Sequence, residues 1–439
     1  MNKAKHIMYF TVLAFVCLML LSFLPKRFRI ATFNIKNIDL LSDVRPPNEI
    51  KKIVKDSALA VVTISKREPH AYSFDAYKSP FKIVDYAGAD SLAGALQKFS
   101  SKLAALKKGK QQKVRIAFIG DSMIEGDLIT SDVRKTLQQL YGGKGIGFMP
   151  VTSLCAGAQA TAGVDFSKDW SDQTFKNGKT SVFLSGHTFN SSGDSWFSVT
   201  DKTIKDSVDT YLLCGTGTSD VFCNDEAKVI KTDAAFNMQK LSCTKNVKIK
   251  VTDKELPVYG LSFESGTGVI VDNLSFRGVT GIELRKLDTT LLQQVNKERS
   301  YDLIVLEYGL NILDDNRDAY FKWYNKLFEE SIHKVKTCFP GADILIISCG
   351  DRAFRKETGY ETGEYVSNLV QTQATIAYNN QVAFFNLYES MGGKGSMVNW
   401  VTGSPSLAYN DYMHPNQRGS TKIAGFLTDA IIKEVNKVQ

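Results

Sequence analysis

The sequence predicts an α/β fold built on a parallel sheet, and three observations carry that prediction. Short, near-continuous apolar runs recur at residues 114–119, 269–276, 303–306, 344–347 and 382–387. Stretches with apolar residues at helical spacing follow or separate them, at 131–141, 320–337, 365–379 and 421–435. Strands that are apolar on both faces and alternate with helices belong to sheets covered on both sides. The third observation is an interruption. From 151 to 268 helical periodicity gives way to short segments rich in Ser, Thr, Gly, Phe and Val, such as 181–184, 196–200 and 247–251. Short strands punctuated by turn residues predict an inserted all-β module of sandwich or jelly-roll type.

In chain order, the first element is residues 7–24, an eighteen-residue run without a charge, flanked by Lys3 and Lys5 before it and by Lys26, Arg27 and Arg29 after it. That length just spans the hydrocarbon core of a bilayer, and no small-residue cleavage pattern follows it. Residues 1–29 therefore read as an uncleaved membrane anchor. Basic residues stand on both flanks, so charge alone does not orient it. Residues 30–112 read as a spacer, broken at Arg45-Pro46-Pro47, and end in a lead-in helix at 93–106. The lysine-rich stretch 102–113 reads as a solvated helix face and linker; attraction to an anionic surface is the sharper alternative. The α/β domain then occupies 113–150 and 269–439, with the module, 151–268, between its two parts.

Composition narrows the class. At 439 residues with 43% hydrophobic and 23% charged content, the chain is globular rather than disordered. Its net charge is +8, but no aromatic-interleaved basic motif accompanies it, which argues against a nucleic-acid partner. The seven cysteines form no C-x-x-C pair and none sits at zinc-ligand spacing with a histidine, so neither a metal nor another cofactor is expected. Cys214, Cys223 and Cys243 are candidates for disulfides, without a pairing that spacing decides. Trp170, Phe183, Phe189, Trp196 and Phe197 in the module read either as sandwich core or as platforms for sugars.

The chemistry gathers at the two ends of the α/β pattern. The first apolar strand, VRIAFIG, ends in Gly120-Asp121-Ser122 and runs into a helix, which places the serine at the carboxyl end of a strand. A serine there is also an ordinary helix cap. Near the other end of the chain, Asp411-Tyr412-Met413-His414-Pro415 precedes the last helix. An aspartate three residues before a histidine can accept from Nδ1–H, leaving Nε2 to take a proton from a serine.

GDSMIEGD and DYMHP resemble the first and last blocks of the SGNH/GDSL hydrolase superfamily. Two intermediate blocks follow in order: a glycine after the second strand, Gly278 in NLSFRGVTG, and G-x-N after the third, Gly309 and Asn311 in VLEYGLN. Met123 stands where the literal GDSL string has leucine, and Ile312 where many members carry an aspartate. The resemblance implies a flavodoxin-like three-layer domain with a five-stranded parallel sheet. It implies Ser122 as nucleophile, His414 as general base and Asp411 as its orienting partner. It also implies an oxyanion hole from the Ser122 and Gly278 N–H groups and the Asn311 amide. GGKGIGFMP and VAFFNLYESMGGKGSM are further similar to exported members that remove or transfer O-acetyl groups on envelope polysaccharides, peptidoglycan O-acetylesterases among them. The function expected is therefore an esterase acting on an acetylated glycan, anchored to the inner membrane and facing the periplasm. An O-acetyltransferase served by a membrane acyl-donor protein, or a non-catalytic glycan-binding protein, are the alternatives.

Overall fold

A computed structural model of the chain describes residues 27–30, 33–36, 73–86, 96–178, 181–313 and 321–438. The chain divides into two units, Met1–Ala60 and Val61–Gln439. In the first, Arg27–Ile30 and Phe33–Lys36 form an antiparallel pair. The anchor expected at 7–24 lies outside the described residues, and no helix among those described is long and apolar enough to cross a membrane.

In the second unit, the apolar runs pair side by side. The sheet order is Gly268–Ser275, Lys113–Gly120, Leu303–Glu307, Asp343–Ile347, Ala383–Phe385 and Ile83–Asp85. The first five are mutually parallel. Numbered along the chain they stand in the order 2-1-3-4-5, the flavodoxin-like arrangement, whose switch point lies between the first and third strands. The strands are buried along nearly their whole length, as a sheet covered on both faces requires. The sixth strand, Ile83–Asp85, pairs antiparallel with Ala383–Phe385 at the edge. Part of the expected spacer is thus built into the sheet; three residues are too short a run to show any period.

The helices fall into two sets that pack among themselves. Gln97–Lys107, Thr130–Tyr141 and Gln417–Lys437 make one; Thr289–Arg299, Lys322–Cys338 and Val366–Asn380 make the other. Thr289–Arg299 was not expected, because its polar sequence, TTLLQQVNKER, buries little beyond Leu291, Leu292, Val295 and Arg299. Asp288 caps it by accepting from the Leu291 N–H at 2.8 Å. The fifth strand is shorter than its apolar run, since Asn386 accepts from the Glu389 N–H and starts a helix at Leu387.

Between the first two parallel strands the chain forms two antiparallel sheets. One runs Asn237–Thr244, Val208–Cys214, Val258–Glu264, His187–Asn190, Ser171–Thr174, with Gly147–Met149 also on Val258–Glu264. The other runs Glu226–Thr232, Gly217–Cys223, Asn246–Val251, Ser195–Asp201, Ala162–Phe166. Leu212, Leu261 and Phe263 from one and Phe197, Val221 and Ile249 from the other share one buried cluster. Each such side chain contributes about 1.5–3 kcal/mol by leaving water. Phe183, Phe189 and Phe197 are fully buried, which makes them core and not sugar platforms. Residues 181–184, expected as a strand, form none. Cys214 is a buried free thiol.

The glycine-rich segment after helix Thr130–Tyr141 threads between the two parts. A side chain on Gly143 would begin 2.5 Å from the Val269 carbonyl oxygen, so only glycine lets the backbones approach there. Beside it lies a buried ion cluster. Arg299 bonds Asp272 of the parallel sheet and, at 3.3 Å, Glu264 of the β module, which Lys113 also reaches at 2.8 Å. Burial alone would raise the Glu264 carboxyl, but Arg299 and Arg115 outweigh it and hold it down at about 2.

Candidate active site

The parallel register sets the site. Gly120 lies opposite both Ser275 and Glu307, so three strands end at one level. Ser122, Gly278 and Asn311 each follow within a few residues of one of these ends. Gly120 is itself required: a side chain there would begin 2.8 Å from the Glu307 carbonyl oxygen.

The last helix delivers the histidine. Asn416 caps Gln417–Lys437 by accepting from the Arg418 and Gly419 N–H groups, and the Tyr409 N–H bonds the His414 carbonyl at 2.9 Å. These bonds hold the 409–416 loop at the mouth of the sheet. Ser122 Oγ and His414 Nε2 stand 2.8 Å apart, and His414 Nδ1 is 2.7 Å from Asp411 Oδ2. With Asp411 ionised, Nδ1 carries the proton and donates it, which leaves Nε2 to accept from the serine hydroxyl. Partial burial works to raise the Asp411 carboxyl. The His414 N–H and imidazole and the Met413 N–H prevail and hold it below the usual carboxylate range.

The three residues expected to form the oxyanion hole differ in what they have free. Among the described residues, neither the Ser122 N–H nor the Gly278 N–H has an acceptor. The Asn311 amide, in contrast, donates to Asp121 Oδ2 at 2.8 Å and to the Val279 carbonyl at 3.0 Å. It reaches a developing oxyanion only by sharing or releasing one of these bonds.

Sequence reasoning passed over the buried carboxylates Asp121 and Glu307, next to Ser122 and at the end of the neighbouring strand. Asp121 is fully buried and accepts from the Met123 N–H and from Asn311, so it orients both the Ser122 turn and the amide. Glu307 is buried, and neither carboxyl oxygen has a hydrogen-bond partner among the described residues. Desolvation, with the Asp121 charge beside it, pushes the Glu307 carboxyl well above the ordinary range, and burial also raises Asp121, to about 7. The signal for Asp121 was the GDS triplet; for Glu307 there was only a charge at the end of an apolar strand.

A cleft of about 410 Å³ lies between the sheet ends and the β module, lined by residues that neighbour Ser122 and Gly278 in the chain but not by Ser122, Gly278, Asn311 or His414 themselves. Glu125, one turn beyond Ser122, and Ser275, Phe276 and Arg277, just before Gly278, form one wall. Lys176, Asp172 and His187 come from the module. Arg277 Nε bonds Glu125 at 2.8 Å, and His187 Nδ1 is 2.9 Å from Asp172.

The solved structure of a peptidoglycan O-acetylesterase superposes with a TM-score of 0.69, covering 81% of this chain and 99% of that one at 20% identity. The chain shares the fold of that esterase. Structures of a family two carbohydrate esterase from Cellvibrio japonicus (11% identity, TM-score 0.27, 63% of this chain and 99% of that one) and of a carbohydrate acetylesterase from Sinorhizobium meliloti (15%, 0.28, 38% and 79%) are also similar. No protein-family model matches the sequence, nor does any curated protein sequence. The shared fold accounts for the position of the Ser122 turn at the switch point of the sheet; the chemistry rests on the residues there.

Proposed function

We propose that this chain is a serine-dependent ester hydrolase that removes O-acetyl groups from an envelope polysaccharide. The observation that carries the proposal is the continuous chain from Ser122 Oγ through His414 to Asp411, at 2.8 and 2.7 Å. His414 Nε2 takes the serine proton as Oγ bonds to the acetyl carbon. The C–O bond to the sugar then breaks, and His414 returns the proton to the leaving hydroxyl. Water, deprotonated by His414, attacks the acetyl-serine and releases acetate. The Ser122 and Gly278 N–H groups face the developing oxyanion, an effect typically of roughly 10²–10³-fold per donor, and Asn311 joins them by redirecting its amide. The fold shared with a peptidoglycan O-acetylesterase supports an acetylated glycan as substrate.

The protein works at the extracytoplasmic face of the inner membrane, held by the apolar run at 7–24, where such a glycan is fixed in place. The test is release of p-nitrophenol from p-nitrophenyl acetate by wild type and Ser122→Ala, with and without an oligosaccharide acceptor. Serine-dependent release with acetate going to water supports the hydrolase. Acetate going to the sugar would make it a transferase fed by a membrane acyl donor, and no serine-dependent release would leave a glycan-binding protein.

A further inference from the structure

The cleft between the sheet ends and the β module carries one charge that no carboxylate among the described residues answers. Its carboxylates each have a partner: Glu125 bonds Arg277, Asp127 bonds Arg134 at 2.7 Å, and Asp172 accepts from His187. Lys176 has no carboxylate partner among the described residues; its ammonium lies 5.8 Å from the centroid of the Phe276 ring. Nor is its position accidental. Lys176 sits in the Phe175–Asn177 turn, closed by the Gly178 N–H on the Phe175 carbonyl and tied to the module by the Phe175 N–H on Gly186. Phe175 packs edge-on against Phe276, with ring centroids 5.6 Å apart, and His187 stacks on the same Phe276 ring at 4.6 Å. This aromatic contact docks the turn onto the chain leading from the second strand to Gly278. The Lys176 ammonium consequently stands 3.3 Å from the point where a side chain on Gly278 would begin.

We infer that Lys176 reads a carboxylate on the substrate, so that the glycan is an acidic one whose acid group lies on the acetylated sugar or on its immediate neighbour. This rests on the function proposed above, in which the Gly278 N–H meets the acetyl carbonyl oxygen; an ammonium beside Gly278 is then beside the ester. An exposed ammonium in a half-enclosed cleft attracts an anion over a few ångströms and is screened by salt beyond about 8–10 Å. A neutral glycan would leave that cation with water alone. The β module thus contributes selectivity for charge, while the parallel sheet contributes the reacting groups.

The test uses the full chain carrying Ser122→Ala, which binds without turning over, and the same protein with Lys176→Ala or Lys176→Arg added. The probes are an O-acetylated hexuronic-acid oligosaccharide and its neutral O-acetylated hexose counterpart, titrated by calorimetry at low and high salt. The expected result is a preference for the acidic probe that falls about tenfold with Lys176→Ala, close to 1.4 kcal/mol, and survives Lys176→Arg. The preference should shrink in high salt. An unchanged ratio of the two affinities in Lys176→Ala overturns the inference. Equal weakening of both probes overturns it too, and assigns Lys176 to the oxyanion or to the fold. Failure of turnover in the wild-type chain, with charge preference retained, removes the esterase reading and leaves the acidic-glycan site. Turnover without charge preference does the reverse.

Discussion

Two histidine–aspartate pairs occupy the two parts of the molecule, and only one of them meets a hydroxyl. In the α/β part, His414 holds Asp411 at 2.7 Å on one ring nitrogen and Ser122 at 2.8 Å on the other. In the β module, His187 holds Asp172 at 2.9 Å, but its ring lies flat against Phe276 and Phe189 and no hydroxyl bonds its Nε2 among the described residues. In the function proposed, the same pair of side chains is a base in one place and a wall in the other. What differs is the neighbour across the ring: a strand end that presents a serine, or an aromatic face that packs. A histidine with its carboxylate is therefore no evidence of catalysis until the second nitrogen is accounted for.

The largest effects should come from breaking the first pair's link to serine. Ser122→Ala and His414→Ala should each lower kcat on an acetyl ester by roughly 10⁴-fold or more, and the double variant should lose little beyond either, since the groups act as one unit. Steady-state kinetics with the double variant checks the non-additivity. Asp411→Asn should cost less, roughly 10²–10⁴-fold, because Asp411 sets the tautomer rather than moving a proton. His187→Ala, the matching change in the module, should act on KM and not on kcat, by less than about tenfold, as expected of a residue that shapes a cleft. Equal losses in the two histidine variants would erase the distinction between the pairs.

The junction between the two parts sharpens the contrast through stability. Arg299→Met would leave Asp272 without its cation in the interior and Glu264 with only Lys113 and Arg115, and removing one partner of a buried ion cluster typically costs roughly 3–5 kcal/mol, read from the denaturant midpoint. The cluster also sets an acid limit. Glu264 titrates at about 2 in the folded chain against an ordinary value of 4.5. Its contribution is thus fully present above the ordinary value and is lost as pH falls through that window toward 2. Thermal melting followed from pH 6 down to about 2 should show that loss in the wild type, and a weaker pH dependence in Arg299→Met.

The fold was legible where local pattern and tertiary role coincide. The five parallel strands are apolar on both faces, so each announces itself, and the strand-end motifs followed from them. Ile83–Asp85 was not legible because its strand character comes only from pairing with Ala383–Phe385. Residues 181–184 misled in the opposite direction: Val182 and Phe183 are apolar because they are buried, not because they are extended. Ser122, Asp411 and His414 could be named because each lies in a compact motif beside a helix start. The pair His187 and Asp172 could not. Thr174 faces His187 across two antiparallel strands, and that register brings together residues fifteen positions apart. Lys176 was hidden for the same reason, as one lysine among many until the turn that carries it is seen docked against Phe276. The Asn311 amide shows the limit of a motif in another way, since its residue type was read but not the acceptors that already engage it.

The most direct measurement is mass spectrometry of the intact protein after reaction with a fluorophosphonate, followed by peptide mapping. One adduct on Ser122, formed quickly in wild type, slowly in His414→Ala and not at all in Ser122→Ala, is the result predicted. An adduct on another residue, or equal labelling with and without the Ser122 hydroxyl, would contradict the assignment of Ser122 as the nucleophile.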